Sequence, residues 1–492
     1  MTIESCLKKH ALETPDKLAV ATLDDSLSFS ELWNCVRKTA CILREDYGMK
    51  SGDYVLLRSS QTTEHIISYF AIHTLGCVAV PLEKDVPNTV LNEMIQKTKS
   101  NLILSLQKEE TDTNLPMLDL KTLRERIDSH GNVPEWNDFS EETVVADVML
   151  TTGTTGKSKG VMLSQKNLLA TSENLIHGFQ MKDTDCMLVV GPLNHANAIR
   201  KIYTAAILGS SVVVINGMLS IKNFFVALER FPINCLCLPP SAVQVLLAMS
   251  GEKLHEYSNR ILYVENSTAP MPGHLREKLK QLLPTSRLYN GYGASEAGSI
   301  VIYDYAAVEK PENCAGKPSY KASLYFVDEK GNTIRSSKEN PGQLVCKSDV
   351  NMQGYLGDPG LTAEILKNGQ VYMSDIGYFD EEGYVYLIGR KDNVINIGGL
   401  KVAPEEVENV IESYDGVKEC LLFQEHSANE LPALHCLVVT DKDKQFNEMS
   451  LKQFMKDNLE HYKIPQEIQI VEEIPHTYNG KKDRKEVGNY FE

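Results

Sequence analysis

The chain has 492 residues, of which 42% are hydrophobic and 24% are charged, as is typical of a globular protein with two or three domains. Its formal net charge of −16 argues against a nucleic acid or an anionic membrane surface as the main partner. The sequence shows no basic leader and no run of about eighteen apolar residues, so we expect a cytoplasmic protein without a membrane span.

The cysteines indicate a reducing environment. There are eleven of them, an odd number, and no two form a Cys-x-x-Cys pair. Cys235 and Cys237 alternate along an apparent strand. This pattern predicts reduced thiols in the core rather than disulfide bonds or a zinc site.

Strand and helix periodicities alternate through the first part of the chain. The predicted elements are a strand at 17–21, a helix at 28–45 that Ser28 can cap, a strand at 53–58, a helix at 63–75 and a strand at 144–150. Residues 106–142 are polar and irregular, and we interpret them as a surface excursion. The alternation predicts an α/β fold with a largely parallel sheet covered on both faces.

The alternation resumes after residue 160. The predicted elements are a strand followed by a helix at 161–169, strands at 186–193, 210–215 and 234–238, and a helix at 275–283. The strand at 186–193 leads to Asn194-His195-Ala-Asn197, at a strand end of the kind where open α/β sheets bind ligands. Short strands and turns predict a β-rich subdomain at about 317–388, and a β/α/β-like unit follows residue 393.

A glycine- and threonine-rich loop, Thr151-Thr-Gly-Thr-Thr-Gly-Lys-Ser-Lys-Gly160, lies between two of the predicted strands. Glycines allow the backbone to approach a ligand, and amides, hydroxyls and ammonium groups suit a polyphosphate. A surface turn would have a similar composition. The Walker motif would need glycine at position 151, where threonine stands, so this is a phosphate loop of another kind.

A second candidate for nucleotide binding is Tyr289-Asn-Gly-Tyr-Gly-Ala-Ser-Glu296. Tyr292 can stack on a base, and Asn290 can contact an adenine edge. Ser295 can reach a phosphate, and Glu296 can hold Mg²⁺. Taken alone, such a stretch is more often a tyrosine-rich β-turn.

Both stretches resemble motifs of the adenylate-forming enzymes, the superfamily of acyl- and aryl-CoA synthetases, carrier-loading adenylation domains and luciferase. The usual loop has serine where Thr152 stands and often proline where Ser158 stands. The second motif usually has threonine where Ser295 stands, and serine keeps the hydroxyl. Six motifs occur in the family's order between residues 151 and 485, so the resemblance covers nearly the whole chain.

The resemblance implies a site for ATP and Mg²⁺. It implies that the nucleotide is bound by Thr151, Thr152, Gly153, Thr154, Thr155, Gly156, Lys159, Asn290, Gly291, Tyr292, Gly293, Ser295, Asp375 and Arg390. Asp375 would accept hydrogen bonds from both ribose hydroxyls, although an aspartate after a serine is more often a turn or a cap. Arg390 would contact ribose and phosphate, and Glu296 and Thr155 would hold the metal.

The resemblance also implies a core domain at 1–388, a hinge at 389–393 and a mobile α+β lid at 394–492. Asp392 would be the residue about which the lid turns, and Gly398 and Gly399 would line a tunnel for phosphopantetheine. Lys481 would bridge the substrate carboxylate and the α-phosphate during adenylate formation. By composition alone, the basic residues around it could be a solvated tail.

The acyl pocket is the least defined part of the site. The resemblance makes His195 a gate and catalytic residue, although it could equally be a structural histidine. Asn197, Asn266, Ser267 and Thr268 would line the pocket, where hydroxyl side chains replace the usual glycines. The Phe-Asp pair that binds the ammonium of an amino acid is absent, which argues against α-amino acids. Arg200 could bind a second carboxylate, or it could be a surface or loop residue.

The function that follows is activation of a carboxylic acid by MgATP to an acyl-adenylate, with release of pyrophosphate, and transfer to coenzyme A. Two alternatives stay open. The acceptor could be the phosphopantetheine of a carrier protein, or the chain could be a non-catalytic nucleotide-binding scaffold. The presence of Glu296, Asp375 and Lys481 argues against the scaffold, because inactive relatives commonly lose such groups.

Overall fold

A computed structural model describes residues 1–106, 115–133, 135–136, 141–152, 158–218, 220–311, 313–393, 395–397, 400–425, 433–441, 444, 446–476, 482–484 and 487. Contacts between residues divide the chain into two compact units. The first unit comprises Met1–Lys310, Ala315–Leu324 and Val345–Tyr372. The second comprises Pro311–Cys314, Tyr325–Leu344 and Met373–Glu492.

The helices of the described residues are numbered in chain order. They are Ile3–Glu13 (α1), Phe29–Tyr47 (α2), Thr63–Thr74 (α3), Asn88–Thr98 (α4), Leu120–Ser129 (α5), Gln165–Gly178 (α6), Ala196–Leu208 (α7), Ile221–Arg230 (α8), Pro240–Ser250 (α9), Gly273–Leu282 (α10), Pro359–Ile365 (α11), Pro404–Glu412 (α12) and Glu448–Asn458 (α13). Short 3₁₀ turns lie at Lys253–Tyr257, Lys391–Asn393 and His461–Lys463.

The strands are numbered in the same way. They are Leu18–Ala21 (β1), Ser26–Ser28 (β2), Tyr54–Arg58 (β3), Val78–Leu82 (β4), Leu102–Ser105 (β5), Met117–Asp119 (β6), Val145–Thr152 (β7), Ser158–Ser164 (β8), Cys186–Val189 (β9), Ser211–Val214 (β10), Cys235–Cys237 (β11), Tyr263–Asn266 (β12), Arg287–Ala294 (β13), Gly298–Asp304 (β14), Cys314–Pro318 (β15), Ser323–Val327 (β16), Thr333–Ile334 (β17), Gly342–Lys347 (β18), Gly354–Tyr355 (β19), Leu366–Lys367 (β20), Gln370–Phe379 (β21), Val385–Arg390 (β22), Ile395–Ile397 (β23), Leu400–Val402 (β24), Val417–Glu425 (β25), Ala433–Thr440 (β26) and Glu467–Ile470 (β27).

The first unit contains two sheets with mainly parallel strands. One has the order β14-β13-β12-β11-β9-β10-β1-β2, and the strands from β13 to β1 run parallel. The other has the order β19-β8-β7-β4-β3-β5-β6, and the strands from β7 to β6 run parallel. Apolar strands of this kind are buried on both faces, as parallel sheets with covering helices require. The predicted α/β class is confirmed.

Local sequence signals explain where several helices begin. Ser28 caps α2 by accepting a hydrogen bond from the backbone N–H of Glu31 at 3.3 Å, while the Glu31 side chain accepts one from the backbone of Ser28 at 2.8 Å. This reciprocal capping box satisfies two backbone donors that a helix terminus would otherwise leave unpaired. The predicted cap at Ser28 is therefore confirmed.

Two predictions from the sequence are wrong. Residues 106–142 are not wholly irregular, because β6 and α5 lie within them, and the apolar face of α5 is buried through Leu120, Leu123 and Ile127. The strand predicted at 186–193 ends at Val189, and Asn197 lies in the first turn of α7, with His195 at the N-cap position. Pro192, within the apolar run, has no backbone N–H to donate to a neighbouring strand, so the run does not continue as a strand.

The second unit contains β-hairpins and a small α+β element. Strands β21 and β22 are antiparallel, as are β16 and β17 over their paired residues. Strands β25, β26 and β27 form a sheet in which β26 and β27 run parallel. Helices α12 and α13 contribute Val407, Ile411, Leu451 and Met455 to the same buried cluster as Cys420, Leu422 and Val438 of that sheet.

The cysteines agree with the prediction of core thiols. All eleven are buried and unbonded to one another. Among the described residues, no helix combines the length and apolar character that a membrane crossing requires.

Candidate nucleotide and acid site

The phosphate loop connects two antiparallel strands of the first unit. Thr151 of β7 is opposite Lys159 of β8 in the hairpin register. Gly160 must be small, because a Cβ there would lie 2.8 Å from Val148 Cγ1. The predicted nucleotide ligands Gly153, Thr154, Thr155 and Gly156 lie outside the described residues, as does the side chain of Thr152.

The adenine motif forms the hairpin of β13 and β14. Gly293 allows the two strands to approach, because a Cβ there would lie 1.8 Å from the carbonyl oxygen of Gly298. Tyr292 is half-buried and Ser295 lies in the turn between the strands. The motif is therefore an ordered strand end followed by a tight turn. Neither sequence interpretation, nucleotide-binding stretch or β-turn, included the strand.

Glu296 connects the adenine motif to the phosphate loop. Its Oε1 accepts a hydrogen bond from the hydroxyl of Tyr355 at 2.7 Å. The Tyr355 ring also lies beneath the ammonium of Lys159, which is 5.6 Å from the ring centroid. A half-buried carboxylate whose Oε1 is fixed in this way fits a Mg²⁺ ligand, because Mg²⁺ prefers carboxylate oxygens and a fixed geometry.

Arg200 supports the turn of the adenine motif. It lies in α7 and its Nη2 donates to the carbonyl oxygens of Ala294 and Ser295, at 3.5 and 3.4 Å. The prediction of a surface or loop arginine is wrong. Burial lowers the pKa of this guanidinium, while Asp147 and Glu296 act in the opposite direction.

The predicted acyl-pocket residues follow two structural elements. His195 and Asn197 lie at the start of α7, where His195 is exposed and Asn197 half-buried. Asn266, Ser267 and Thr268 lie at the carboxyl end of β12. Asn266 donates to Asn290 Oδ1 at 2.9 Å, so the pocket end of β12 is joined directly to the adenine motif on β13.

The ion pair between Lys201 and Glu265, which the sequence analysis did not predict, contacts Asn197 and Ser267 at the rim of the predicted acyl pocket. Lys201 Nζ is 3.1 Å from Glu265 Oε1, and the two side chains are 1% and 0% exposed. Lys201 also donates to Asn197 Oδ1 at 3.1 Å, and Ser267 donates to Glu265 Oε2 at 2.8 Å. Burial, followed by the charge of Glu265, raises the pKa of the neighbouring Cys237 thiol, which therefore stays protonated. The floor of the predicted pocket is charged rather than apolar.

A second buried network includes Asp147 of β7. His73 contacts Glu4 Oε1 at 3.1 Å and Asp147 Oδ1 at 2.8 Å, and Tyr203 donates to Asp147 Oδ2 at 2.9 Å. Glu4 also accepts from Gln165 at 3.1 Å. Asp147 lies in β7, four positions before Thr151, so the network ties α1, α3 and α7 to the strand that carries the loop.

In the second unit, the predicted ribose ligands are neighbours. Asp375 and Arg390 are register partners on the antiparallel strands β21 and β22, where Asp375 is half-buried and Arg390 exposed. Asp392 lies in the 3₁₀ turn that follows β22. Gly398, Gly399 and Lys481 lie outside the described residues.

Lys482 and Arg484, which follow position 481, are anchored on α12. Arg484 Nη1 is 2.5 Å from Glu408 Oε1, and Lys482 Nζ is 2.6 Å from Glu412 Oε1. His476 and Lys482 form a β-bridge, which brings together the two ends of the stretch that contains Lys481. The basic tail considered as an alternative is therefore, over its described part, a fixed element.

The sequence analysis did not predict a role for Tyr355, Lys201, Glu265 or the network around His73. The signal was weak, because these residues lie in apolar segments and become partners only when distant segments pack. A lysine in the apolar pattern of α7 was the one local hint, since an unpaired lysine is rarely buried.

The two mainly parallel sheets, the Gly/Thr-rich hairpin and the carboxylate beside it define a nucleotide-binding enzyme of the α/β class. Residues 7–356 match the family described as AMP-binding enzyme, and residues 406–481 match the AMP-binding enzyme C-terminal domain. The chain belongs to the AMP-binding enzyme family. The resemblance to adenylate-forming enzymes is thereby confirmed.

Similar proteins cover the whole chain. A 2-succinylbenzoate–CoA ligase of Geobacillus sp. (strain WCH70) is 25% identical over 98% of this chain and 96% of its own length. An oxalate–CoA ligase of Arabidopsis thaliana is 23% identical over 100% and 98%. The ATP-bound structure of MatB from Rhodopseudomonas palustris has a TM-score of 0.88 at 20% identity, over 100% of this chain and 99% of that one. At that identity, the structural similarity establishes the fold.

Proposed function

We propose that the chain is an AMP-forming acid–thiol ligase that converts a carboxylic acid to an acyl-adenylate and transfers the acyl group to coenzyme A. The contact between Tyr355 and Glu296 is the observation that carries the proposal. It joins the predicted metal ligand to a ring that also contacts Lys159 of the phosphate loop. Two motifs far apart in sequence thus meet at one place.

The chemistry requires positioning more than a strong nucleophile. In the first half-reaction the carboxylate oxygen attacks the α-phosphorus of ATP, the bond to the β-phosphate oxygen breaks, and pyrophosphate leaves. Two anions must approach each other, so orientation and neutralisation of charge supply most of the acceleration. We assign the neutralising ammonium to Lys481 and the metal contact to Glu296 and Thr155.

The second half-reaction needs a different arrangement. A thiol attacks the acyl carbon and AMP leaves. We retain the prediction that residues 1–388 form the core, that residues 389–393 form a hinge with Asp392 at its centre, and that 394–492 form the lid. Rotation of such a lid would withdraw Lys481 and open the tunnel past Gly398 and Gly399.

Coenzyme A is the favoured acceptor, because similar proteins whose alignment covers nearly the full chain include CoA ligases. The alternative acceptor is the phosphopantetheine arm of a carrier protein. Both acceptors present the same thiol, so the active site near the acyl carbon does not distinguish them.

The proposal is tested by ATP–pyrophosphate exchange with a panel of carboxylic acids, followed by thioester formation with coenzyme A or a phosphopantetheinyl carrier. We expect exchange that depends on an acid, and thioester formation with coenzyme A. Thioester only on the carrier would favour the second acceptor. ATP binding without exchange for any acid would favour a non-catalytic nucleotide-binding protein.

We predict that Glu296→Gln weakens the binding of Mg²⁺, so that the half-maximal rate of exchange requires a roughly tenfold or greater concentration of Mg²⁺. A neutral amide is a poorer ligand for this hard cation than a carboxylate. Tyr355→Phe keeps the ring beneath Lys159 but removes the hydrogen bond to Glu296, and a smaller shift of about two- to fivefold is expected. Titration of magnesium at fixed ATP checks both variants.

The matched control for Tyr355→Phe is Tyr305→Phe, at a buried tyrosine that follows β14 and lies 5.3 Å beneath Arg276. This variant should leave the magnesium titration unchanged. An unaltered titration in Glu296→Gln would exclude Glu296 as a metal ligand.

A further inference from the structure

We infer that the acid used by this chain carries a hydroxyl group on its acyl portion, and that Ser267 and Thr268 accept a hydrogen bond from that hydroxyl. The inference rests on the proposed function, because it concerns the acid site of the same enzyme. It follows from the hydrogen bonds that the Ser267 and Thr268 hydroxyls donate to other protein groups at the carboxyl end of β12.

The proton of Ser267 is directed into the protein. Ser267 Oγ lies 2.8 Å from Glu265 Oε2, and a carboxylate can only accept. Glu265 is fully buried and ion-paired with Lys201, so water cannot replace the serine as its hydrogen-bond donor. The hydroxyl therefore offers a ligand its oxygen lone pairs and not its proton.

Thr268 is oriented in the same way. The Asn266 Nδ2 group donates to the backbone carbonyl of Ala269 and to Asn290 Oδ1, which identifies the other side-chain atom of Asn266 as the carbonyl oxygen. Thr268 Oγ1 lies 3.0 Å from that oxygen and must donate to it. Two adjacent hydroxyls at the rim thus present acceptors outward.

This rim selects against acids with a hydrocarbon chain or a second carboxylate at that place. A hydrocarbon chain would cover two hydroxyl oxygens without replacing their hydrogen bonds to water, which is unfavourable. A second carboxylate would place an anion against acceptor oxygens, with the carboxylate of Glu265 behind them. Arg200 does not offset this repulsion at the rim, because its Nη2 is directed to the carbonyls of Ala294 and Ser295.

The two hydroxyls differ in how deeply they lie. Ser267 Oγ would lie only 2.4 Å from a Cβ placed on Gly291, so the serine packs against the backbone of β13. Thr268 is exposed, whereas Ser267 is half-buried and close to the floor formed by Lys201 and Glu265. Ser267 is the inner of the two acceptors, and we expect it to contribute more to selectivity.

The test compares acids matched in size. Each set contains a hydroxyl, a methyl and a carboxylate at the same position: 4-hydroxybutyrate, pentanoate and glutarate form one set, and 4-hydroxybenzoate, 4-methylbenzoate and terephthalate form another. The rate constant kcat/KM for ATP–pyrophosphate exchange is measured for each. We expect the hydroxy acid of at least one set to exceed both of its partners by about tenfold or more, since a site built to hydrogen-bond a hydroxyl rejects analogues that lack it.

Two variants test the assignment to Ser267. Ser267→Ala should reduce the preference for the hydroxy acid over the methyl analogue to about threefold or less. The control is Ser286→Ala. Ser286 lies just before the start of β13, and its buried hydroxyl donates to the carbonyl oxygen of Ile261. This variant should retain the preference. In the double variant with Lys201→Met and Glu265→Gln, the amide at position 265 can donate a hydrogen bond to Ser267. The serine proton is then free to be donated to a ligand, and the preference should move toward the acid with a second carboxylate.

The outcomes separate this inference from the proposed function. A hydroxy-acid preference that Ser267→Ala abolishes supports the inference. Exchange that favours a methyl or a carboxylate analogue in every set overturns it and leaves the proposed function standing. Absence of exchange with all acids overturns both.

Discussion

Replacing Lys481 with alanine is expected to lower pyrophosphate formation from acid and ATP by roughly 10²- to 10³-fold, which is the usual cost of removing one group that stabilises transition-state charge. The variant should form thioester from a supplied acyl-adenylate at the normal rate. The asymmetry arises because only the first half-reaction brings two anions together. Single-turnover measurement of each half-reaction checks the result.

The flanking residues make the Lys481 substitution a clean test. Lys482 and Arg484 hold the adjacent backbone to Glu412 and Glu408 of α12, so the alanine at 481 should not disturb the local fold. Lys452→Ala, at a solvent-exposed pair with Glu448, is the matched control and should leave both half-reactions unchanged. Equal loss in both half-reactions would refute the role assigned to Lys481.

His73→Leu is expected to destabilise the chain by about 3–5 kcal/mol, the range found when one partner of a buried ion pair is removed. The substitution leaves Glu4 and Asp147 buried without the imidazolium between them. The triple variant with Glu4→Gln and Asp147→Asn removes the charges together and should recover much of the loss. Urea unfolding, followed through the transition of the first unit, measures both.

The same histidine predicts a dependence of stability on pH. Burial lowers the pKa of His73, but Asp147 and Glu4 raise it by more, to about 10 from an ordinary value of 6.5. The folded chain therefore binds a proton that the unfolded chain releases between these values. The contribution of His73 to stability should be complete below pH 6.5 and decline as pH rises toward about 10.

The comparison with the triple variant isolates this effect. Tyr69 and Tyr203 contact the network, but burial, followed by the charge of Asp147, raises the pKa of both tyrosines well above 10, so they titrate above the range in which His73 loses its proton. The difference in unfolding free energy between wild type and triple variant should narrow from pH 6.5 to 10. A constant difference over that range would show that His73 is neutral in the folded protein.

Much of the site could be predicted from sequence because its chemistry is local. The Thr/Gly-rich loop and the Tyr289–Glu296 stretch each place their functional groups within ten residues, so the resemblance of short runs of sequence suffices to predict a phosphate site and an adenine site. Ser28 and Pro404 likewise lie in the first turns or caps of helices because their effect acts on the adjacent backbone.

Other features could not be read in this way, because they depend on segments far apart. Glu265 is one position before the end of β12, and its partner Lys201 lies in α7. The apolar pattern around Lys201 hints that the lysine is buried, but the sequence does not show which residue is its partner. Only the packing of α7 against β12 shows that Lys201 pairs with Glu265 and that Ser267 donates its proton to this carboxylate.

The amino-acid sequence by itself determined the α/β class, the order of the nucleotide motifs and the family, since each depends on periodicity or on short runs of residues. The tertiary structure decided which carboxylate is supported by Tyr355, which charges neutralise each other in the core, and which way the rim hydroxyls point. The physical reason is that a hydrogen bond or ion pair acts over a few ångströms. His73 is 69 positions from Glu4 and 74 positions from Asp147, and such residues reach that range only when the sheets and helices have packed.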